Sequence, residues 1–333
     1  MRTLGFFLLC FLQLSCASQI TQKINGVSFV AAPERVEQEQ VNELLQVNAN
    51  HAAVMPFGFI RDINSPEIIH NTDRQWFGET LQGAKQYIEL LKQNGVEIMI
   101  KPQIWIWRGE FTGTLKMKSE NDWKILEGSY DDFILTYARL AEETKAPIFC
   151  IGTELEQFVK NRPAYWKGLI KKIRAVYKGK LTYAANWDEY PRTTFWEDLD
   201  FIGIDAYFPL SDARTPSVEQ LQEGWQPWKE KIEALSKARN KPVLFTEFGY
   251  RSMDYTAKKP WLVDQNDDNV NLEAQVNAKK AIFAEFWTED WFAGGYVWKW
   301  FINHKKSGGD KDNRFTPQNK PAQKVISEVY KAH

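Results

Sequence analysis

Eight apolar runs of strand length alternate with helical patterns along this chain, and that alternation restricts its fold more than any other feature. The runs are Ile24–Ala31, Ala52–Ile60, Glu97–Ile106, Pro147–Glu154, Lys180–Asn186, Phe201–Tyr207, Pro242–Phe248 and Gly294–Phe301. Between them, residues 80–94 place Leu81, Ala84, Ile88 and Leu91 on one face and stop at Gly95. Similar faces recur over Asp131–Thr144, Ala164–Lys178, Val218–Arg239, Leu272–Phe286 and Ala322–Tyr330. Runs that are apolar throughout suit parallel strands covered on both sides, and strand–helix alternation predicts a single α/β domain, a (β/α)8 barrel in which each strand is followed by a helix. The lack of a Gly-rich phosphate turn after the first run argues against a dinucleotide fold. Segments that follow runs three, seven and eight are long (107–130, 250–271 and 303–321), whereas those that precede runs are short, as at Asn240-Lys241-Pro242. In a barrel the long ones share the C-terminal face, where active sites are built.

Two of the runs end in glutamate: Ile148-Phe149-Cys150-Ile151-Gly152-Thr153-Glu154 and Val243-Leu244-Phe245-Thr246-Glu247-Phe248-Gly249. A carboxylate at the tip of an apolar strand costs burial energy, and two matched ones point to paired-carboxylate catalysis on one barrel mouth. Glu154 and Glu156 share strand parity, so alternation does not choose between them. Glu154 is preferred because it adjoins the apolar run and follows Thr153 as Glu247 follows Thr246, while Glu156 suits the next loop or helix start.

Other strand ends offer groups that suit a sugar. Run six ends Asp205-Ala206-Tyr207, and the Tyr207 hydroxyl can orient a neighbouring carboxylate; Asp205 is a further candidate. Run five ends Asn186-Trp187, an amide for hydroxyls beside an indole for a sugar face. Trp298 and Trp300 in run eight share parity, and either can floor a central subsite; Trp105 or Trp107 in run three can extend the cleft. The chain carries 14 Trp, 12 Tyr and 21 Phe against four His, so most rings must be core.

The remaining chemistry classes find little support. Forty-two basic and 43 acidic residues without a basic tract argue against nucleic-acid binding. His51, His70, His304 and His333 have no metal-ligand spacing, and the acidic loops at 264–268 and 310–313 lack the full calcium pattern. No Gly-x-Ser-x-Gly elbow occurs, and neither metal nor cofactor is expected. Arg2, the apolar stretch Leu4–Leu14 and Ser15-Cys16-Ala17 read as a secretory leader, too short to span a membrane. It ends either in cleavage before Ser18 or in lipidation of Cys16; both predict export, with residues 18–333 as the catalytic domain. Outside the leader only Cys150 remains, which rules out a disulfide scaffold.

In combination, Gly152-Thr153-Glu154-Leu155, Phe245-Thr246-Glu247-Phe248-Gly249-Tyr250-Arg251-Ser252 and Trp298-Lys299-Trp300 resemble glycoside hydrolase family 113. So do Ser119-Glu120-Asn121-Asp122-Trp123 with Tyr130, and Phe315-Thr316-Pro317 with Lys320-Pro321-Ala322, so the similarity runs from Gly26 to the last segment. The resemblance implies a retaining barrel glycosidase, with Glu154 as acid/base, Glu247 as nucleophile, Tyr207 beside the nucleophile and Trp298 as platform. It also implies endo-β-1,4-mannanase activity on a β-linked oligo- or polysaccharide. Thr153 stands where the wider clan most often has Asn, so contacts to the substrate 2-hydroxyl are assigned instead to Asn186. A retaining hydrolase of another β-glycan, such as a β-glucan, and a glycan-binding barrel without catalysis are the alternatives; the intact pair Glu154 and Glu247 favours an enzyme.

Overall fold

The computed structural model describes residues 22–262 and 269–333. The leader with Cys16 and the acidic stretch 264–268 lie outside the described residues. Among the described residues ten strands are formed: β1 (Ile24–Phe29), β2 (His51–Val54), β3 (Phe57–Ile60), β4 (Glu97–Ile100), β5 (Gln103–Ile106), β6 (Ile148–Thr153), β7 (Lys180–Asn186), β8 (Ile202–Ala206), β9 (Val243–Phe248) and β10 (Phe292–Trp300). The α-helices are α1 (Gln38–Leu45), α2 (Leu81–Gln93), α3 (Glu120–Thr144), α4 (Glu156–Asn161), α5 (Pro163–Val176), α6 (Val218–Arg239), α7 (Leu272–Phe286) and α8 (Pro321–Ala332). Eight strands close into a parallel barrel in the order β1-β10-β9-β8-β7-β6-β4-β2.

The second and third expected strands each divide in two. Pro56 and Pro102 lack the amide hydrogen that a ladder requires. Each chain therefore leaves the barrel after β2 or β4 and re-pairs beyond its proline, β3 against β5, as a separate two-stranded parallel sheet on the rim. Lys101 donates its amide to the Val54 carbonyl (2.9 Å) and Gln103 its amide to the Pro56 carbonyl (2.9 Å), so the step keeps its backbone partners.

Helix α3 begins at Glu120, well before the expected Asp131. Ser119 caps it by accepting from the Asp122 amide (3.1 Å), and buried Trp123, Leu126 and Tyr130 extend the apolar face back to this start. The loop after β5 is shorter to the same extent. Between β7 and β8 no α-helix forms, contrary to expectation; two short 3-10 turns, Tyr190–Arg192 and Trp196–Asp198, replace it. That segment has no helical apolar stripe, and it is pinned by buried Tyr190 and Trp196, whose indole donates to the Tyr190 carbonyl (3.0 Å). After β1 the helix that the alternation requires is α1, whose residues showed no clear helical pattern in the sequence.

The core has two layers. Met99, Ile148, Cys150, Ala184, Leu244 and Tyr296 pack within the barrel, and a much larger cluster fills the space between strands and helices. Tyr296 occupies the interior because Gly26 faces it: a Cβ at residue 26 would lie 2.4 Å from the ring. Interior layers of this kind make the barrel a packed solid, leaving its strand ends as the place for chemistry. Among the described residues no helix is long and apolar enough to cross a membrane.

Candidate active site

Glu247 lies near the end of β9, 6 % exposed, and every hydrogen-bond partner of its carboxylate is a donor. The Tyr207 hydroxyl donates to Oε2 (2.7 Å), Gln103 Nε2 to Oε1 (3.0 Å), and the Lys101 ammonium also to Oε1. Donors arrive from β4, β5 and the end of β8, so strands on opposite sides of the barrel converge on one side chain. A carboxylate that accepts from donors fixed by strands is held in one orientation.

Glu154 follows the last residue of β6 and has a backbone φ of +51°, the left-handed region that non-glycine residues rarely adopt. Two successive amides secure it to β7: Glu154 donates to the Ala184 carbonyl (2.8 Å), and Leu155 donates to the Tyr183 hydroxyl (2.7 Å). Burial first, then the charges of Asp205 and Glu247, hold the Glu154 carboxyl well above the usual carboxylate range, with Lys101 opposing them. Glu156, the sequence alternative, is instead the first residue of α4 and pairs with Arg192 (2.7 Å).

Asp205 departs from its expected place as a substrate contact. It has no exposed surface and lies beneath the carboxylates, accepting from Thr246 Oγ1 (2.7 Å) and from Lys101 (3.4 Å). Burial and then Glu247 push its carboxyl up to about 7. Lys101 is wholly buried; desolvation opposes its charge, but Asp205 and Glu247 outweigh this and hold its ammonium above the usual range. Lys101 and Gln103 escaped the sequence reading. A lysine inside an apolar run carries the same burial signal that marked the glutamates, and it could have been found by that signal.

The tryptophans separate into different roles. Trp298 is partly exposed, and its carbonyl passes so close to Gly249 that a Cβ there would lie 2.8 Å away. Trp300 does not floor the cleft: it is 1 % exposed, packed in the outer core and stacked on His304 at 5.3 Å. Its parity with Trp298 misled, because pairing with Phe29 and Val30 of the first strand segment turns this end of β10 toward the outer layer. Trp187 is partly exposed, with one face stacked on Trp261 at 4.8 Å. Asn186 accepts from the Trp187 amide through Oδ1 (2.8 Å), which leaves its NH2 free for a ligand hydroxyl.

A cleft of about 950 Å³ lies against the rim sheet, lined by Phe57, Phe59, Trp76, Trp105 and Trp107 among others. Phe57 and Phe59 on β3 face the same side as Gln103 and Trp105 on β5, where exposure alternates with the buried Gly58, Ile60, Ile104 and Ile106. Gln103 touches Glu247, so this aromatic shelf continues outward from the carboxylates. On another side, the loops after β9 and β10 are joined by Lys320, whose ammonium donates to Ser252 Oγ (2.8 Å), Asp312 (2.7 Å) and the Arg314 carbonyl (2.9 Å). That latch accounts for the Arg251-Ser252 and Lys320 motifs, and it sets Phe315 edge-on against Tyr207 at 5.8 Å. Among the described residues no group of three acidic, His or Cys side chains is arranged to hold a metal.

The model of Glycoside Hydrolase Family 113 matches residues 32–320. The β-mannanase AaManA from Alicyclobacillus acidocaldarius, a member of that family solved in complex with ManMIm, is similar over 95 % of this chain and 99 % of its own, with 23 % identity and a TM-score of 0.81. A second structure, described as a GH113 β-1,4-mannanase, covers 94 % of this chain and 100 % of its own at 23 % identity and a TM-score of 0.80. A Faecalibacterium prausnitzii β-glucuronidase matches 93 % of this chain with 49 % of its own, at 14 % identity and a TM-score of 0.61. At these identities the likeness to solved structures is one of fold. No curated protein sequence matches the chain.

Proposed function

We propose that this chain, which belongs to glycoside hydrolase family 113 and is a glycoside hydrolase, is a retaining endo-β-1,4-mannanase. The observation that carries the reading is the contrast between its two carboxyls: Glu247 accepts from Tyr207, Gln103 and Lys101, while burial and neighbouring charge raise the Glu154 carboxyl well above the usual range. One carboxylate oriented by donors and one carboxyl raised well above its usual range suit a double displacement at an acetal carbon.

In the first step a Glu247 oxygen attacks the anomeric carbon as the glycosidic C–O bond breaks, and Glu154 gives its proton to the leaving oxygen. In the second, Glu154, now a carboxylate, takes a proton from water, and that water displaces Glu247 from the sugar. Two inversions return the β configuration. The reading expects the carboxyls about 5–5.5 Å apart, the spacing of retaining enzymes, rather than the roughly 6.5–9.5 Å that admits a water in inverting ones. Trp298 is the platform for the sugar at the cleavage point, the free amide of Asn186 serves hydroxyl contacts, and Trp105 and Trp187 extend the cleft. The mannan assignment is supported by solved family members described as β-mannanases.

Proton NMR of the first-formed sugar tests the mechanism: an initial β-anomer is expected, and an initial α-anomer overturns it. A panel of mannan, glucomannan, cellulose and xylan oligosaccharides tests the substrate, with turnover highest on mannan. Glu247→Ala abolishes turnover, whereas Glu154→Ala retains activity on substrates with good leaving groups and is rescued there by azide. Export as a lipoprotein anchored through Cys16 is part of the same proposal, supported by Leu14-Ser15-Cys16 after an apolar stretch. Metabolic labelling with a fatty acid that is lost in Cys16→Ser is expected, and a mature protein beginning at Ser18 refutes it.

A further inference from the structure

Glu189 is a further carboxyl close to the site, beside Glu154, Asp205 and Glu247; it is 2 % exposed and lies in the connection between β7 and β8 where a helix is missing. Its Oε1 accepts from the Tyr183 hydroxyl (2.7 Å) and its Oε2 from the Asn186 amide (3.1 Å). The same Tyr183 hydroxyl accepts from the Leu155 amide (2.7 Å), the peptide directly after Glu154. The Tyr183 ring is clamped edge-on by Trp166 (5.7 Å) and Phe195 (5.4 Å), so its oxygen has little freedom.

We infer that Glu189 and Tyr183 are positioning residues for the glycosidase reaction, forming one buried relay that holds the acid/base Glu154 and the Asn186 subsite in register. The inference rests on the function proposed above for Glu154. Its physical basis is the left-handed backbone of Glu154, which persists only where its surroundings over-determine it. The Ala184 carbonyl fixes one side of the residue and Tyr183 the other. A tyrosine hydroxyl has one proton; Glu189 takes it, which leaves the oxygen as an acceptor for Leu155. Without Glu189 the hydroxyl can turn, and the Leu155 amide loses a fixed partner. Glu189 thereby turns a flexible donor into a dedicated acceptor, and its second oxygen aligns Asn186 at the same time.

Electrostatics act in the same direction. The groups facing Glu154 are Asp205 from β8, Glu247 from β9, Lys101 from beyond β4 and Glu189. Those facing Glu189 are Tyr183, Asp205 and Glu156, the last paired with Arg192. Burial pushes Glu189 up to about 7, and as an anion it adds to the pressure keeping Glu154 protonated.

The test compares Tyr183→Phe and Glu189→Gln with the parent enzyme on two mannosides, one with a poor alkyl leaving group and one with an activated aryl leaving group. A misplaced acid matters only where the leaving oxygen needs a proton. On the poor leaving group kcat/KM is expected to fall about tenfold or more in Tyr183→Phe, a fraction of the roughly 10²–10⁴ that general acid catalysis supplies. On the activated substrate it stays near the parent value, and adding Tyr183→Phe to Glu154→Ala costs nothing further. Glu189→Gln keeps one acceptor oxygen for Tyr183, so its leaving-group-dependent loss is smaller, with the basic limb of its pH profile moved to lower pH; the loss through the Asn186 amide is common to both substrates and comes on top of it. Equal losses on both substrates, or a full additional loss on the Glu154→Ala background, overturn the inference and leave the pair as ordinary packing. If the parent turns over neither substrate, the proposed function fails, and carbon-13 titration of the Glu154 carboxyl decides the relay by itself. The inference expects its pKa to fall toward the ordinary carboxylate range in Tyr183→Phe, and an unmoved titration refutes it.

Discussion

Replacing Lys101 with methionine removes the cation paired with two buried carboxyls, Asp205 and Glu247, while nearly preserving volume, and the structure fixes both the size and the pH dependence of the result. Lys101 and Asp205 have no exposed surface and Glu247 has 6 %. Removing one partner of a buried ionic group leaves charge uncompensated and costs roughly 3–5 kcal/mol. That cost is partly relieved when a carboxyl takes up a proton. The Asp205 carboxyl already stands at about 7, against an ordinary 3.8, because of burial and Glu247, and Lys101 is among the influences that hold it down. A group whose folded pKa is raised binds extra protons in the folded state, so its contribution is lost as pH rises through that value, here between about 4 and 7. Without Lys101 the carboxyl rises further, and the falling limb extends above pH 7. Urea unfolding at pH 5 and pH 8 is the assay. Lys101→Met is expected to lose the full amount, roughly 3–5 kcal/mol, at the higher pH and clearly less at the lower one. Lys101→Arg keeps the charge and adds bulk, so its penalty is the same at both. A Lys101→Met penalty independent of pH, or none at all, refutes the reasoning.

Three further perturbations read separate parts of the site. Tyr207→Phe deletes a charge-assisted bond to Glu247 worth about 1.5–3 kcal/mol, so kcat drops roughly 10- to 100-fold in steady-state assays and urea unfolding shows a stability loss of up to about the same size. Gly249→Ala places a Cβ 2.8 Å from the Trp298 carbonyl and 3.3 Å from Phe315, which displaces both walls; turnover falls, and urea unfolding shows a loss of about 1–3 kcal/mol. Trp105→Ala strips a ring that is 48 % exposed from the shelf, raising KM for long mannans about fivefold, near 1 kcal/mol, and leaving KM for the shortest substrates unchanged.

Elements with a clear period and clear stops were legible from the residues. Val218–Arg239 and Leu272–Phe286 form helices with the expected bounds, because Ser217 and Asn271 cap their starts by accepting from Gln220 and Ala274. The barrel itself followed from the alternation of elements. The prolines at 56 and 102 were visible too, yet a continuous apolar run concealed that each divides a strand, since periodicity registers burial and not hydrogen-bond partners. Glu154 was distinguishable from Glu156 by its distance from the apolar run. Asp205 and Trp300 were not: parity assigns a face, but how deep a side chain lies depends on what neighbouring strands place above it. Glu189, in a segment without period, had no sequence signal at all. Its role comes from Tyr183 and Leu155, whose meeting depends on tertiary register.

The two proline steps have a consequence for how such an enzyme can change. The rim sheet of β3 and β5 stands outside the barrel ladder, joined to it through Val54–Phe57 and Ile100–Gln103. Phe57, Phe59 and Trp105 can therefore be exchanged without disturbing the strands that hold Lys101, Asp205 and Glu247. Gln103 is the exception, because it belongs to the shelf and also donates to Glu247. Mutational drift on this ledge would retune which glycan is gripped while turnover chemistry stays intact, with position 103 as the one place where a change in taste must also be a change in reactivity.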